Sequence, residues 1–170
     1  DGLYYSFLYI RAGGYPSRVR AGWMSSLVNA GEGVDVDVHL RRENRSKIID
    51  KVAQRIRLNR TKLKGMQDTS TDYEELTNSI RAGYFIKNGI ANYNEDLFYM
   101  SVFITVSAKT YDELMWRKQQ VSDMLKSMDM YTSDCAFQQE AALQAVMPFL
   151  SIPASLEKKS RRNVLTSGAA

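Results

Sequence analysis

Near Asn44 the hydrophobic period of the chain changes, and that change constrains the fold more than any motif does. Upstream, Val34, Val36, Val38 and Leu40 alternate with Asp35, Asp37, His39 and Arg41. Successive side chains of a strand point to opposite faces, so this stretch reads as a strand with one apolar face turned inward and one wet face. Downstream, Ile48, Ile49, Val52, Ile56 and Leu63 recur at helical intervals until a break near Gly65. The polar residues 67–72 read as a loop. A second helical stretch follows, with Leu76, Ile80 and Tyr84 on one side, and ends around residues 89–94.

The flanks of this helical block resemble each other in element order. Leu3 to Ile10 has the aromatic and β-branched content of a buried strand, ended by Gly13, Gly14 and Pro16. Ser17 is placed to cap a helix whose apolar face is Val19, Trp23, Leu27 and Ala30, stopped by Gly31 and Gly33. On the far side, Leu97 to Val106 reads as a strand. Asp112 and Glu113 open a helix with Leu114, Val121, Met124, Leu125 and Met128 on its face. Tyr131 to Gln138 reads as a last strand, and a short helix over 140–146 precedes a proline-containing tail. The order β-α-β, two helices, β-α-β predicts an α+β fold. Specifically, it predicts a ferredoxin-like plait of two βαβ halves with a four-stranded antiparallel sheet and a two-helix insertion between strands 2 and 3. A plain plait joins those strands by a short connection; here 44–94 is expected to form an arm projecting from the sheet edge. Residues 1–150 are expected to form the domain, and 151–170 a tail or linker.

The chemistry-bearing residues are sparse. A chain of 170 residues suits a single core. Its one cysteine, Cys135, allows no intrachain disulfide and no cysteine-based zinc site. No apolar run approaches the length that spans a bilayer, and no signal-peptide order is present at the start. A phosphate-binding loop needs glycines followed at fixed spacing by Lys and Ser or Thr, so that backbone amides and the ammonium hold the phosphates. Gly13-Gly14-Tyr15-Pro16-Ser17-Arg18 has neither that spacing nor the lysine, and reads as a turn plus helix cap. His39, the only histidine, reads as an exposed strand residue between Asp37 and Arg41, and Asp35 and Asp37 as solvated carboxylates. Cys135, Met124 and Met128 read as core. No catalytic, cofactor-binding or metal-binding residue is assigned.

Charge is placed unevenly. Residues 41–64 carry a net charge of +8 against +4 for the whole chain. Lys47, Lys51 and Arg55 follow one helical line, with Ile48, Ile49, Val52 and Ile56 opposite. A basic amphipathic helix suits nucleic acid, anionic lipid or an acidic protein surface, and is otherwise a solvated face. Lys158, Lys159, Arg161 and Arg162 make a second cluster in the tail. The strand aromatics Tyr5, Phe7, Tyr9, Tyr99 and Phe103 are of the type that stacks bases on the sheet of RNA-recognition modules. The third strand lacks the basic-Gly-aromatic opening of that motif.

Four blocks carry a family resemblance. Gly14-Tyr15-Pro16-Ser17-Arg18-Val19 with Gly22-Trp23 resembles the N-terminal region of the conjugation ATPases of type IV secretion, the CagE/TrbE/VirB-type energisers, in the flavour of Gram-positive integrative conjugative elements. Asn29-Ala30-Gly31-Glu32-Gly33-Val34-Asp35-Val36-Asp37, Ser79-Ile80-Arg81-Ala82-Gly83-Tyr84-Phe85 and Ser160-Arg161-Arg162-Asn163-Val164-Leu165-Thr166 are similar to the same family. The blocks are scattered over nearly the whole chain and look structural. The resemblance implies a non-catalytic N-terminal domain whose motor, with its Walker motifs, ATP and Mg, lies outside this sequence. It implies an assembly or docking role that positions the motor at the membrane channel, cytoplasmic and peripheral at the inner face of the membrane. Implied partners are membrane-embedded channel proteins and other copies of the ATPase, with weak DNA or anionic-lipid contact and no small-molecule substrate. The expected contact residues are Arg55, Arg57, Arg60, Lys62 and Lys64. The alternative expectation is a nucleic-acid-binding module using the basic arm or the aromatic sheet face.

Overall fold

The computed structural model describes residues 2–16, 19–66, 71–149 and 151–165. The expected cap Ser17, most of the expected 67–72 loop and the end of the tail lie outside them. In chain order the elements are β1 (Tyr4–Ile10), α1 (Trp23–Val28), β2 (Val34–Arg42), α2 (Arg45–Leu63), α3 (Thr71–Asn92), β3 (Leu97–Ala108), α4 (Tyr111–Lys126), β4 (Thr132–Asp134), α5 (Gln139–Val146), α6 (Ala154–Ser160) and β5 (Arg162–Leu165). The fold is therefore mixed α+β.

The strands form one sheet in the order β2-β3-β1-β4, with β5 also paired to β3. β1 runs antiparallel to β3, with Tyr9 opposite Phe103 and Tyr4 opposite Ala108, and antiparallel to β4. β2 and β3 are antiparallel too. Gly33 O accepts from Ser107 N at one end of the pair, and Leu97 O accepts from Glu43 N at the other. Gly33 has φ +80°, and a Cβ there would run into Ser107 O, so the turn into β2 needs a glycine.

By backbone contacts the chain divides into two compact units, one of residues 1–40 and 100–162, the other of 41–99 and the stretch from Asn163. In the first unit both faces of the sheet are covered. Leu8, Ile10, Val102, Ile104 and Val106 meet Trp23 and Leu27 of α1 and Leu114, Val121 and Leu125 of α4. α4 starts sharply because the Thr110 hydroxyl accepts from Glu113 N at 3.3 Å and Asp112 and Glu113 face the positive helix end. On the opposite face Tyr9 and Phe103 pack with Cys135, with Ala142 and Ala145 of α5, and with Leu156 of α6. Small alanines let α5 lie close over the rings. Phe103 is 0% exposed, and burying such a side chain contributes roughly 1.5–3 kcal/mol.

Several expectations are corrected. α1 begins at Gly22, in the left-handed region at φ 75°, and has six residues, so Val19 and Ala30 lie outside it and are exposed. β4 has three residues; the chain turns after Cys135, where Phe137 takes φ 57°. The stretch expected as a linker is folded through Leu165. Leu156 and Ser160 are fully buried, and Ser160 Oγ lies 3.0 Å from Ser101 Oγ. α5 and α6 cover Tyr9 and Phe103, which are not available for stacking bases, whereas Tyr5 on the same strand face is 57% exposed. In β2 the valine face is only half covered. Val34 and Val36 pack into the core, whereas Leu40 is 62% exposed.

The second unit is built on α2 and α3. Ile48, Ile90 and Leu97 form its core, flanked by Ile49, Val52, Ile86 and Tyr99. Gly83 of α3 packs against α2; a Cβ there would lie 2.8 Å from Ile56 Cγ1. No helix among the described residues is long and apolar enough to cross a membrane.

Candidate functional site

The base of α2 is fixed by ion pairs to the chain leaving α3. Asn44 caps the helix, its side chain accepting from Lys47 N at 3.3 Å. Asp96 holds two guanidinium groups, Arg42 Nη2 at 2.8 Å and Arg45 Nε at 2.7 Å. Arg45 also donates to Asn94 through its side-chain and backbone oxygens. Asn94 takes φ 55°, a left-handed conformation that asparagine tolerates. The hydrogen bonds from Arg42, then from Arg45, hold the Asp96 carboxyl below its ordinary range against an opposing effect of burial. Arg41 lies over the Tyr99 ring at 5.5 Å and within 3.8 Å of Glu43. Farther along, Asn59 Nδ2 donates to Ser79 Oγ at 2.9 Å and Arg60 Nη1 to Tyr84 OH at 3.3 Å, tying α2 to α3.

Beyond that base the solvent face of α2 is a field of cations. Arg55, Arg57, Arg60, Lys62 and Lys64, the residues expected from sequence, are all exposed, as are Lys47 and Lys51. They do not form one line. At 3.6 residues per turn, Lys47, Lys51, Arg55 and Lys62 share a stripe, and Arg57 and Lys64 lie roughly 130° round the helix from its centre. Among the described residues, Lys47, Lys51, Arg55, Arg57, Lys62 and Lys64 make no ion pair, and Asp50 is the only acid within α2. Sequence reasoning missed two features. The Arg45–Asp96–Asn94 clamp joins residues far apart in the chain, and Leu58, 56% exposed, lies within the stripe of Lys47, Lys51 and Lys62. The second could have been found, since residue 58 falls on the same helical stripe as Lys51 and Lys62.

The other sequence candidates resolve as structure. His39 is half-buried; its Nε2 lies 2.7 Å from Ala145 O and its ring stands edge-on to Phe103 at 5.7 Å. Asp37, beside it, is pushed up by burial, pulled back by His39 and pushed up further by Asp35. Cys135 is buried and its thiol is raised to about 11 by burial, then by Asp134, so it is protonated at neutral pH and a poor nucleophile. No cluster of three or more His, Cys, Asp or Glu side chains that could hold a metal forms among the described residues. Compared with known proteins, the chain matches no family model and no curated protein.

Proposed function

We propose that this chain is a non-catalytic assembly and docking domain, the N-terminal part of a conjugative type IV secretion ATPase, which positions the motor at its membrane channel through the α2–α3 hairpin. The sequence blocks named above support the family. The strand order β2-β3-β1-β4, its antiparallel neighbours and the placement of α1 and α4 on one sheet face support a ferredoxin-like plait with the hairpin inserted between its second and third strands. The observation that carries the docking role is the set of exposed cations on α2, six of which form no ion pair among the described residues. Such a face lowers its energy by meeting an anionic surface. On this reading the domain does no ATP chemistry, works at the cytoplasmic face of the membrane, and contacts channel proteins and other copies of the ATPase.

The test uses the full-length parent ATPase in donor cells, with Arg55, Arg57, Lys62 and Lys64 changed to Glu. DNA transfer is expected to fall to background while protein level and ATP turnover of the purified parent stay unchanged. Transfer at the unmodified rate overturns the reading.

A further inference from the structure

We infer that the solvent face of α2 docks on a bilayer of anionic lipid, with Leu58 entering the headgroup region from among the cations of its stripe. The inference rests on the docking role proposed above and names its partner. α2 is a nineteen-residue helix, about 28 Å long at 1.5 Å per residue. Its inner face, Ile48, Ile49, Val52 and Ile56, is spent against α3 and the chain beyond it, so what remains outside is polar except at one place. That place is Leu58. Lys51, Lys62 and Arg55 lie on one side of it and Lys47 on the other, with Arg57 and Lys64 farther round the helix beyond the single acid Asp50.

The arrangement discriminates between polyanions. A phosphodiester backbone would set Leu58 among charged phosphates, with no apolar region to receive it. A bilayer accepts the same pattern: the Lys and Arg stems lie flat while their heads reach lipid phosphates, and a central apolar side chain enters the acyl boundary. The charge-bearing arc covers about half the circumference of the helix, wider than one groove wall and suited to an extended surface. Lys47 supplies a further indication. It stands in the first turn of α2, where no acid is present and the helix dipole disfavours a cation, so its charge is held against local preference.

The experiment measures co-sedimentation of the chain with vesicles of phosphatidylcholine alone and of an equimolar mixture with phosphatidylglycerol, and in parallel its binding to duplex DNA. Binding to the anionic vesicles only, weakening as salt rises, is expected. A Lys51→Glu, Arg55→Glu, Lys62→Glu variant should lose on the order of a hundredfold or more. Leu58→Ser should lose about three- to tenfold with the salt dependence retained, and Leu58→Ile should restore it. Far-UV circular dichroism confirms that each variant remains folded. Equal binding to neutral vesicles, no effect of Leu58→Ser, or tighter binding to DNA than to anionic vesicles overturns the lipid assignment. The two readings fail separately. Lost DNA transfer without vesicle binding leaves the docking role with a protein partner, and vesicle binding without any effect on transfer overturns the conjugative role alone.

Discussion

Asp37 and His39 occupy same-face positions on β2, and together they show how a charged strand face becomes structural. Nε2 of His39 donates to Ala145 O, one of the last carbonyls of α5, which has no partner within its own helix. His39→Ala therefore costs about 1–2 kcal/mol in chemical denaturation, part of it recovered in His39→Gln. Asp37 acts in the opposite direction. Burial raises its carboxyl above 3.8, so the folded chain holds that proton more tightly than the unfolded chain does. Its contribution to stability is complete below the unfolded value and is lost as pH rises through the raised folded value. Asp37→Asn should then raise the thermal midpoint at neutral pH and change little well below pH 3.8; an equal rise at both pH values would refute the assignment. The alternation of residues 34–41 told which side chains share a face. It did not tell that α5, a hundred residues on, would cover the polar one, and so His39 read as exposed.

At the scale of the element, the α2–α3 hairpin sets charge against stability. Lys47, Lys51 and Arg55 stand one turn apart, and like charges at that spacing each cost about 0.2–0.5 kcal/mol. Lys51→Glu replaces two repulsions with two attractions. It is expected to raise stability by about 0.8–2 kcal/mol by thermal unfolding while it weakens binding to any anionic partner. A gain in stability with undiminished binding would show that this stripe is only a solvated face. The base of the hairpin responds to acid. Because the arginine hydrogen bonds lower the Asp96 carboxyl, its contribution is present above the unfolded value and is lost as pH falls through the folded one. Asp96→Asn should reduce amide protection across 41–63 at neutral pH and bring the wild-type and variant patterns together in strong acid. Both helices were legible because long apolar periods report themselves. The clamp was not, since nothing local in Arg45 or Asp96 marks the other as its partner. β4 and α1 were overestimated for the same reason: three paired residues or six helical ones are too few for a period to define their ends.

For the whole molecule, the α+β class and the order of the main elements followed from the switch of period, while the second layer of the first unit did not. α6 has seven residues, of which Leu156 and Ser160 are buried, amid Glu157, Lys158 and Lys159, so its sequence reads as a polar tail although it helps close the sheet. That layer bears on how independent the units are. The two cores of the first unit draw only on residues 7–36 and 100–156, and the hairpin core draws only on residues 48–99. Among the described residues, no side chain of either core of the first unit comes from α2 or α3. Replacing residues 44–94 with a short Gly-containing turn between β2 and β3 is therefore expected to leave a cooperatively folding protein. Antiparallel neighbours accept such a turn, and loop closure becomes less costly as the connection shortens. Near-UV circular dichroism should keep the signal of Trp23 and Trp116, and Phe103 should remain buried, while affinity for anionic surfaces disappears with the cations of α2. Loss of cooperative unfolding in the shortened chain would mean that the hairpin helps to hold the sheet together, and its charge could no longer be read apart from its part in the fold.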